Sequence, residues 1–149
     1  MSTATKFKKP AMMAVMAAAA ITLLSGCITE DQNTVFNQVN ATRKSNRLGA
    51  LEIDYGAASK AQKWSKTMGD RNKLGHSGGG SKLDTSGLSR ACGVAENVAV
   101  GPNLTQVHNA LVASSTHRAN MLGRYDRVGT GVYKKGANYW VTHIFVRTC

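Results

Sequence analysis

The stretch Ser114-Ser115-Thr116-His117-Arg118-Ala119-Asn120-Met121-Leu122 decides how the second half of this chain folds. It follows an apolar segment, Leu104 to Ala113, and its hydroxyl side chains are typical caps for a new helix. His117 would then lie in the first turn of that helix, near free backbone N–H groups. These groups disfavour an imidazolium ion and favour the neutral ring, which is the form that binds metals or acts as a base.

An acidic residue precedes this stretch in an unexpected setting. Glu96 interrupts the apolar run Cys92 to Val100, together with Asn97. A carboxylate within such a run costs free energy unless it is paired or hydrogen-bonded. Glu96 is therefore either part of a structural ion pair or part of a functional site.

The segment after this run predicts a turn and a helix. Gly101-Pro102-Asn103 is the turn, and Leu104 to Ala113 is the helix that it caps. His108 falls beside the apolar side of this helix, so we expect it to be a surface histidine.

The end of the chain reads as two strands. They run over Val128 to Tyr133 and Tyr139 to Arg147, and a hairpin connection with glycine joins them. Alternation places His143 on one face of the last strand, with Tyr139, Val141 and Phe145, while Trp140, Thr142, Ile144 and Val146 lie on the other.

Two further helices are predicted before Glu96. The first runs from Asp31 to about Ser45, with Asp31, Asn33 or Thr34 as its cap, and the second is capped by Asp54 and runs to about Met68. His76 follows in the loop Leu74-Gly75-His76-Ser77, and residues 84–90 read as a short helix or turn.

The N-terminal residues have the pattern of a secretory signal. Lys6, Lys8 and Lys9 precede an apolar run over residues 11–24, which is shorter than the roughly 20 residues of a membrane span. The run ends in Leu24-Ser25-Gly26-Cys27, which resembles the bacterial lipobox, whose cysteine is lipidated. An ordinary signal peptide or an uncleaved anchor is the alternative. We therefore predict a lipoprotein signal at 1–27, a short tether at 28–33 and a single domain at 34–149.

This signal predicts an extracytoplasmic protein that is lipid-anchored to the cell membrane or the outer membrane. Ile28 follows the cysteine, and the lack of Asp there favours the outer membrane in a cell with two membranes. The formal net charge is +11, but the basic residues are scattered and do not form the dense stripe of a nucleic-acid site. We therefore expect the membrane as a partner, and no nucleic acid.

The cysteine count fits this compartment. With Cys27 carrying lipid, Cys92 and Cys149 remain as an even pair in an oxidising environment. A disulfide between them would close a loop of about 57 residues and stabilise the fold by about 3–4 kcal/mol.

Four segments together resemble the CAP superfamily of cysteine-rich secretory, antigen-five and pathogenesis-related proteins. The helix 57–68 leading to His76 is similar to the first histidine motif of the family. The motifs Ala95-Glu96-Asn97-Val98-Ala99 and Ser115 to Leu122 are similar to its central motifs, and residues 128–132 with 139–145 resemble its last two strands. The resemblance covers nearly the whole domain.

This resemblance implies an α+β fold, a three-layer α-β-α sandwich with a central antiparallel sheet. It also implies a cleft lined by His76, Glu96 and His117, in which the two histidines hold zinc or another divalent cation in some family members. Ser114 stands at the cleft position where eukaryotic members carry a second acid. His143, at a frequent glutamine position, is either a third imidazole in the cleft or a strand residue that faces a helix layer.

Three functions remain open on this basis. The first is a binding module whose cleft holds a ligand or cation, with a lipid, sterol-like or cell-wall ligand as the implied partner. The second is a metal-dependent hydrolase of peptides or cell-wall material, with Glu96 as the general base and therefore the candidate catalytic residue, and His76 and His117 as metal ligands. The third is a hydrogen-bonded network that only rigidifies the core. We favour the binding module, so we do not expect an enzyme.

Overall fold

The computed structural model describes residues 27–88 and 90–149. Its elements are, in chain order, α1 (Glu30–Ser45), β1 (Glu52–Ile53), α2 (Tyr55–Arg71), β2 (Ala91–Gly101), α3 (Leu104–Ala113), α4 (Ser115–Met121), β3 (Arg127–Lys135) and β4 (Asn138–Thr148). The described strands form one sheet in the order β1-β3-β4-β2. β1 is parallel to β3 and the other pairs are antiparallel. The predicted lipoprotein signal lies outside the described residues, except for Cys27.

Helix α1 begins earlier than the sequence suggested, because a capping box forms at its N-terminus. The Thr29 hydroxyl accepts a hydrogen bond from the Gln32 backbone N–H at 3.2 Å, and the Thr29 N–H donates to the Gln32 side chain at 2.9 Å. Thr29 is thus the cap, and the prediction of Asp31, Asn33 or Thr34 was wrong. The first turn of α1 falls within the range 28–33 that we assigned to a tether.

The predicted start of α2 is confirmed, since the Asp54 carboxylate accepts a hydrogen bond from the Ala57 N–H at 2.8 Å. This helix packs directly on β3. A Cβ at Gly129 or Gly131 would come within 2.1 Å of the α2 backbone, so only glycine allows this close approach.

The predicted alternation along β4 is confirmed. Trp140, Ile144 and Val146 pack with α2 residues, whereas Val141 and Phe145 belong to the core beneath α1 and α3. The sheet therefore lies between two helical layers, and the predicted α-β-α sandwich with a largely antiparallel sheet is confirmed.

The predicted disulfide is also confirmed. Cys92 and Cys149 are bonded, with Cα atoms 5.0 Å apart and a sequence separation of 57. The bridge joins the start of β2 to the residue after β4. Cys27 is a free, exposed cysteine.

Other local predictions are confirmed in part. The segment 84–90 contains a turn, which is the second of the two alternatives predicted for it, and its described residues are not helical. His108 is half-buried rather than a surface residue, because its Nε2 lies 2.9 Å from the Thr42 hydroxyl of α1. Ser114 occupies the cap position of α4, but its side chain makes no capping hydrogen bond. Within residues 27–88 and 90–149, every helix is too short or too polar to cross a membrane.

Candidate functional site

A cavity of about 500 Å³ lies at the outer edge of β2, and we call it the β2-edge cleft. The loop after α2 and the short helix α4 form its two sides, while β2 forms its floor. Its lining comprises His76, Ser81, Lys82, Leu83, Thr85, Val94, Ala95, Glu96, Thr116, His117 and Asn120. The structure thus brings the three predicted residues His76, Glu96 and His117 to one cavity.

The best-defined contact in the cleft is between Glu96 and His76. Oε1 of Glu96 accepts hydrogen bonds from Nδ1 of His76 at 2.9 Å and from the Ser77 backbone N–H at 3.0 Å. The Glu96 side chain is 1% exposed and that of His76 is 26% exposed. The carboxylate is therefore held from one side, and the imidazole presents its other nitrogen, Nε2, for further contacts.

The second carboxylate oxygen of Glu96 differs from the first. Oε2 is buried and has no hydrogen-bond partner among the described residues. An unsatisfied buried acceptor costs about 1–3 kcal/mol, and more when it is charged. A group that donates a hydrogen bond to this oxygen would therefore be favoured, once the side chains that cover the oxygen move enough to admit the donor.

The loop that carries His76 is fixed to its neighbours. The Trp64 indole N–H on α2 donates to the Gly75 carbonyl at 2.8 Å, and the Ser77 hydroxyl accepts from the Asp84 N–H at 2.9 Å. His76 is thus anchored just before and just after its position in the loop. This preorganises the imidazole for binding.

His117 enters the cleft from the opposite side, on the first turn of α4. Two asparagines hold this helix against β2. Asn97 donates its side-chain N–H to the His117 carbonyl at 2.9 Å, and Asn120 donates to the Asn97 side-chain oxygen at 2.8 Å. Burial, followed by the charge of His76, lowers the pKa of His117 below its usual value. At neutral pH, His117 therefore presents an uncharged ring.

Two other predicted residues lie outside the cleft lining. His143 is 1% exposed and packs edge-on against Phe145, with ring centres 5.8 Å apart. It is thus the strand residue beneath a helix layer, the second of the two alternatives for it. Burial, and then the charges of His108 and His117, lower the pKa of His143 to about 3. Ser114 stands at the cap of α4 and does not line the cavity.

The donors in the cleft do not fit the usual zinc centre. No group of three or more His, Cys, Asp or Glu side chains in the described ranges could hold a metal ion. Catalytic zinc normally has three protein ligands, whereas the cleft offers two, Nε2 of His76 and the ring of His117. The contact of His76 Nδ1 with Glu96 is of the kind that orients a metal-binding histidine, so the misfit lies in the number of ligands.

Sequence reasoning assigned no role to several residues in or beside the cleft. Asn97, which holds α4 beside the cleft, interrupts an apolar run, and this amide was a usable signal. Asn120 lines the cleft and lies in the motif around His117. No sequence signal pointed to Lys82 or Thr116, because their positions depend on how the loop 77–85 and α4 fold over β2.

Comparisons with known proteins agree with this fold. The family model of the cysteine-rich secretory protein family matches residues 36–146. An outer surface protein of Borrelia burgdorferi has a TM-score of 0.72 at 20% identity, covering 81% of this chain and 95% of that one. An extracellular SCP-domain protein of Bacillus anthracis has a TM-score of 0.69 at 25% identity, covering 83% of this chain and 45% of that one.

A eukaryotic structure is similar as well. Venom allergen-like protein 4 of Schistosoma mansoni has a TM-score of 0.64 at 14% identity, covering 82% of this chain and 91% of that one. At identities below 25% such likeness establishes the fold alone. A search of curated proteins finds no match.

Proposed function

Because this chain belongs to the cysteine-rich secretory protein (CAP) family, we propose that it is an extracytoplasmic binding module of the cell envelope. A lipid on Cys27 anchors it, and the β2-edge cleft binds a ligand without turning it over. The observation that carries this proposal is the Glu96 carboxylate, which is buried at the cleft and has one oxygen without a partner in the part of the chain that the structure describes.

The cleft residues define the chemistry of this ligand. Oε2 of Glu96 is an acceptor for which residues 27–88 and 90–149 supply no donor, and it favours an O–H or N–H group over an anion. Thr116, Asn120 and the neutral ring of His117 add polar contacts around it. Glycan hydroxyls and peptide amides supply several such donors, whereas a sterol has one hydroxyl on an apolar body. The proposed ligand is therefore a fragment of cell-wall material.

Binding of soluble muropeptides, measured by calorimetry, tests this proposal. The Glu96→Gln variant replaces the charged acceptor by an amide, and we expect the dissociation constant to rise by about tenfold to a hundredfold. Glu52→Gln makes the same change at a side chain that is 81% exposed on β1, and should bind as the unmodified protein does. Equal affinity of both variants and the unmodified protein would contradict the proposal.

The hydrolase alternative is tested in the same samples. Mass spectrometry of the muropeptides after long incubation should show no new products. Products that disappear in Glu96→Gln, while the fold remains intact, would instead establish Glu96 as a general base and the protein as an enzyme.

A cation-binding cleft has its own test. The protein is refolded with zinc and its metal content is measured by elemental analysis, beside the His76→Ala and His117→Ala variants. Zinc that is lost in both variants would make the ligand a divalent cation held by two imidazoles. Absence of zinc uptake would eliminate the metal-dependent alternatives.

The anchor is tested by a Cys27→Ala precursor. We expect this precursor to remain unprocessed and to lose its partition into membranes. Normal processing and attachment would refute lipidation at Cys27.

A further inference from the structure

A second cavity, of about 430 Å³, lies beside the proposed lipid attachment point. We call the rim around it the anchor surface, and define it by the exposed residues Cys27, Tyr55, Ser59 and Lys63 and the half-buried Ile28. It combines the N-terminus of α1 with the first turns of α2. Tyr55 is 55% exposed, although it is a large aromatic side chain.

The chain between Cys27 and the folded body is very short. Thr29 is already the cap of α1, and Gln32 in the first turn is 5% exposed. The Gln32 side chain donates to the Thr130 carbonyl at 2.6 Å, and the Thr130 hydroxyl donates to the Gln32 carbonyl at 2.9 Å. The first turn of α1 is therefore fastened to β3.

This short connection sets the distance between the lipid and the protein. One residue, Ile28, separates Cys27 from Thr29, and the two Cα–Cα steps between them span about 7 Å at full extension. The polar headgroup layer on each side of a bilayer is itself about 5–7 Å thick. If the acyl chains of a lipid on Cys27 lie in the hydrocarbon core, the short connection therefore keeps the start of α1 at the level of the headgroups.

We propose that the anchor surface lies in the headgroup layer of the membrane that holds the lipid, and that the β2-edge cleft faces away from that membrane. This inference rests on the lipid anchor of the proposed function. The proposed partner of the anchor surface is the bilayer, and this surface is separate from the cleft.

The chemistry of the anchor surface suits this partner. Tyrosine is enriched at membrane–water interfaces, where its ring and hydroxyl occupy different environments. Lys63 is exposed and can contact phosphate groups. Glu30 and Asp31 lie nearby on α1 and oppose an attraction to anionic lipids. The covalent anchor and the short tether, rather than charge, therefore determine the orientation.

The sheet topology places the cleft on the far side. The anchor surface borders the edge formed by β1 and β3, since Tyr55 follows β1 and Gln32 binds β3. The cleft lies at β2, on the opposite edge of the order β1-β3-β4-β2. Three strand spacings of about 4.8 Å separate the two edges by about 14 Å. The ligand would accordingly reach the cleft from the aqueous side and not from the anchoring bilayer.

Fluorescence quenching in vesicles of phosphatidylethanolamine and phosphatidylglycerol tests this orientation. The mature lipidated protein is prepared as Ser59→Cys or Thr116→Cys, two exposed positions on the anchor surface and in the cleft. An environment-sensitive dye reacts only with the new thiol, because Cys92 and Cys149 are bonded to each other and Cys27 carries the lipid. Nitroxide-labelled headgroups then act as quenchers.

We expect several-fold stronger quenching of the dye at position 59 than at position 116. Equal quenching, or stronger quenching at position 116, would overturn the orientation. A flexible Gly-Ser insertion of about 10 residues before Thr29 should abolish the difference while the protein stays on the vesicles. If the difference persists, the short tether is not its cause and the inference fails.

The failure of the inference is distinguishable from failure of its premise. Protein that remains in solution and carries no lipid by mass spectrometry would refute both the anchor and the orientation. Protein that binds vesicles through its lipid but shows equal quenching refutes the orientation alone. Muropeptide binding by the cleft is measured separately and is unaffected by either result.

Discussion

The two edges of the sheet differ in whether their polar groups have hydrogen-bond partners. At the β3 edge, beyond the short strand β1, two glutamines bind the strand backbone. Gln32 donates to the Thr130 carbonyl at 2.6 Å, while Gln62 donates to the Val132 carbonyl at 2.7 Å and accepts from the Val132 N–H at 2.8 Å. At the β2 edge, Glu96 keeps a buried oxygen without a partner among the described residues.

This difference separates structural polar groups from functional ones. An open strand edge presents unpaired backbone groups, and proteins usually cover it. The glutamines satisfy such groups at the β3 edge, so their contribution is to stability. The β2 edge carries titratable side chains around a cavity, and its unsatisfied acceptor makes it suited to a ligand. Substitutions at the two edges should therefore change different quantities.

The largest effect on stability is expected from Gln32→Ala. This substitution removes the hydrogen bonds to the Thr29 N–H and the Thr130 carbonyl, in a side chain that is almost fully buried. We expect a loss of about 2–4 kcal/mol in the free energy of unfolding, measured by chemical denaturation. Gln106→Ala, on the exposed side of α3, is the matched control and should change it by less than about 0.5 kcal/mol. A similar loss in both variants would contradict the assigned role of the β3 edge.

The next effect concerns His143, which lies between the two edges. Its pKa in the folded protein is lowered to about 3, below its value in the unfolded chain of about 6.5. As the pH falls below about 6.5 the unfolded state takes up a proton that the folded state does not, and stability is lost towards pH 3. From pH 6.5 to about 5.5 this group should account for about 1 kcal/mol.

Denaturation of a His143→Gln variant over this pH range measures that contribution. The variant should lose stability less steeply with falling pH than the unmodified protein, whatever its stability at neutral pH. Parallel pH profiles for the two proteins would show that His143 is not held neutral in the core.

A smaller effect on stability is expected from Glu96→Gln. The glutamine retains an oxygen that can accept from the Ser77 N–H, and a neutral amide nitrogen replaces the charged, unpaired Oε2. The free energy of unfolding should change by less than about 1 kcal/mol, while muropeptide binding weakens. If the variant unfolds and refolded samples still bind, Glu96 belongs to a structural network and the distinction between the edges fails.

The smallest effect is an electrostatic one across the cleft. The charge of His76 is the second cause of the lowered pKa of His117, after burial. His76→Gln removes this charge, so the pKa of His117 should move up towards its ordinary value. Titration of the His117 ring protons by nuclear magnetic resonance measures the shift. A pKa that falls or stays constant would show that the two rings do not share the cleft.

The sequence predicted those parts of the fold that depend on local patterns. The alternation along β4 identified which residues face α2, and Asp54 identified the start of that helix. The cap of α1 was missed because Thr29 is selected by its reciprocal bonds with Gln32, whose side chain also binds β3. The burial of His108 was missed for a related reason, since it depends on Thr42 of another helix.

Local sequence patterns predicted the candidate site only in part. His76, Glu96 and His117 come from distant positions, and the resemblance to the family rather than periodicity predicted that they would meet. The alternation along β4 left two alternatives for His143, a place in the cleft or a place facing a helix layer. The packing of α1 and α3 over the sheet buries it in the core. No pattern in the sequence indicates which oxygen of Glu96 lacks a partner, because this depends on the loop around His76.

The central claim is that the β2-edge cleft binds a ligand, and the four histidines of the chain report on it directly. Two of them, His76 and His117, line the cleft, while His108 and His143 lie outside it. Muropeptides are titrated into the protein while the four imidazole resonances are followed. We predict that the His76 and His117 resonances shift together with a single dissociation constant, while those of His108 and His143 remain in place. Unchanged resonances of His76 and His117 at saturating muropeptide, or equal shifts at all four rings, would contradict the claim.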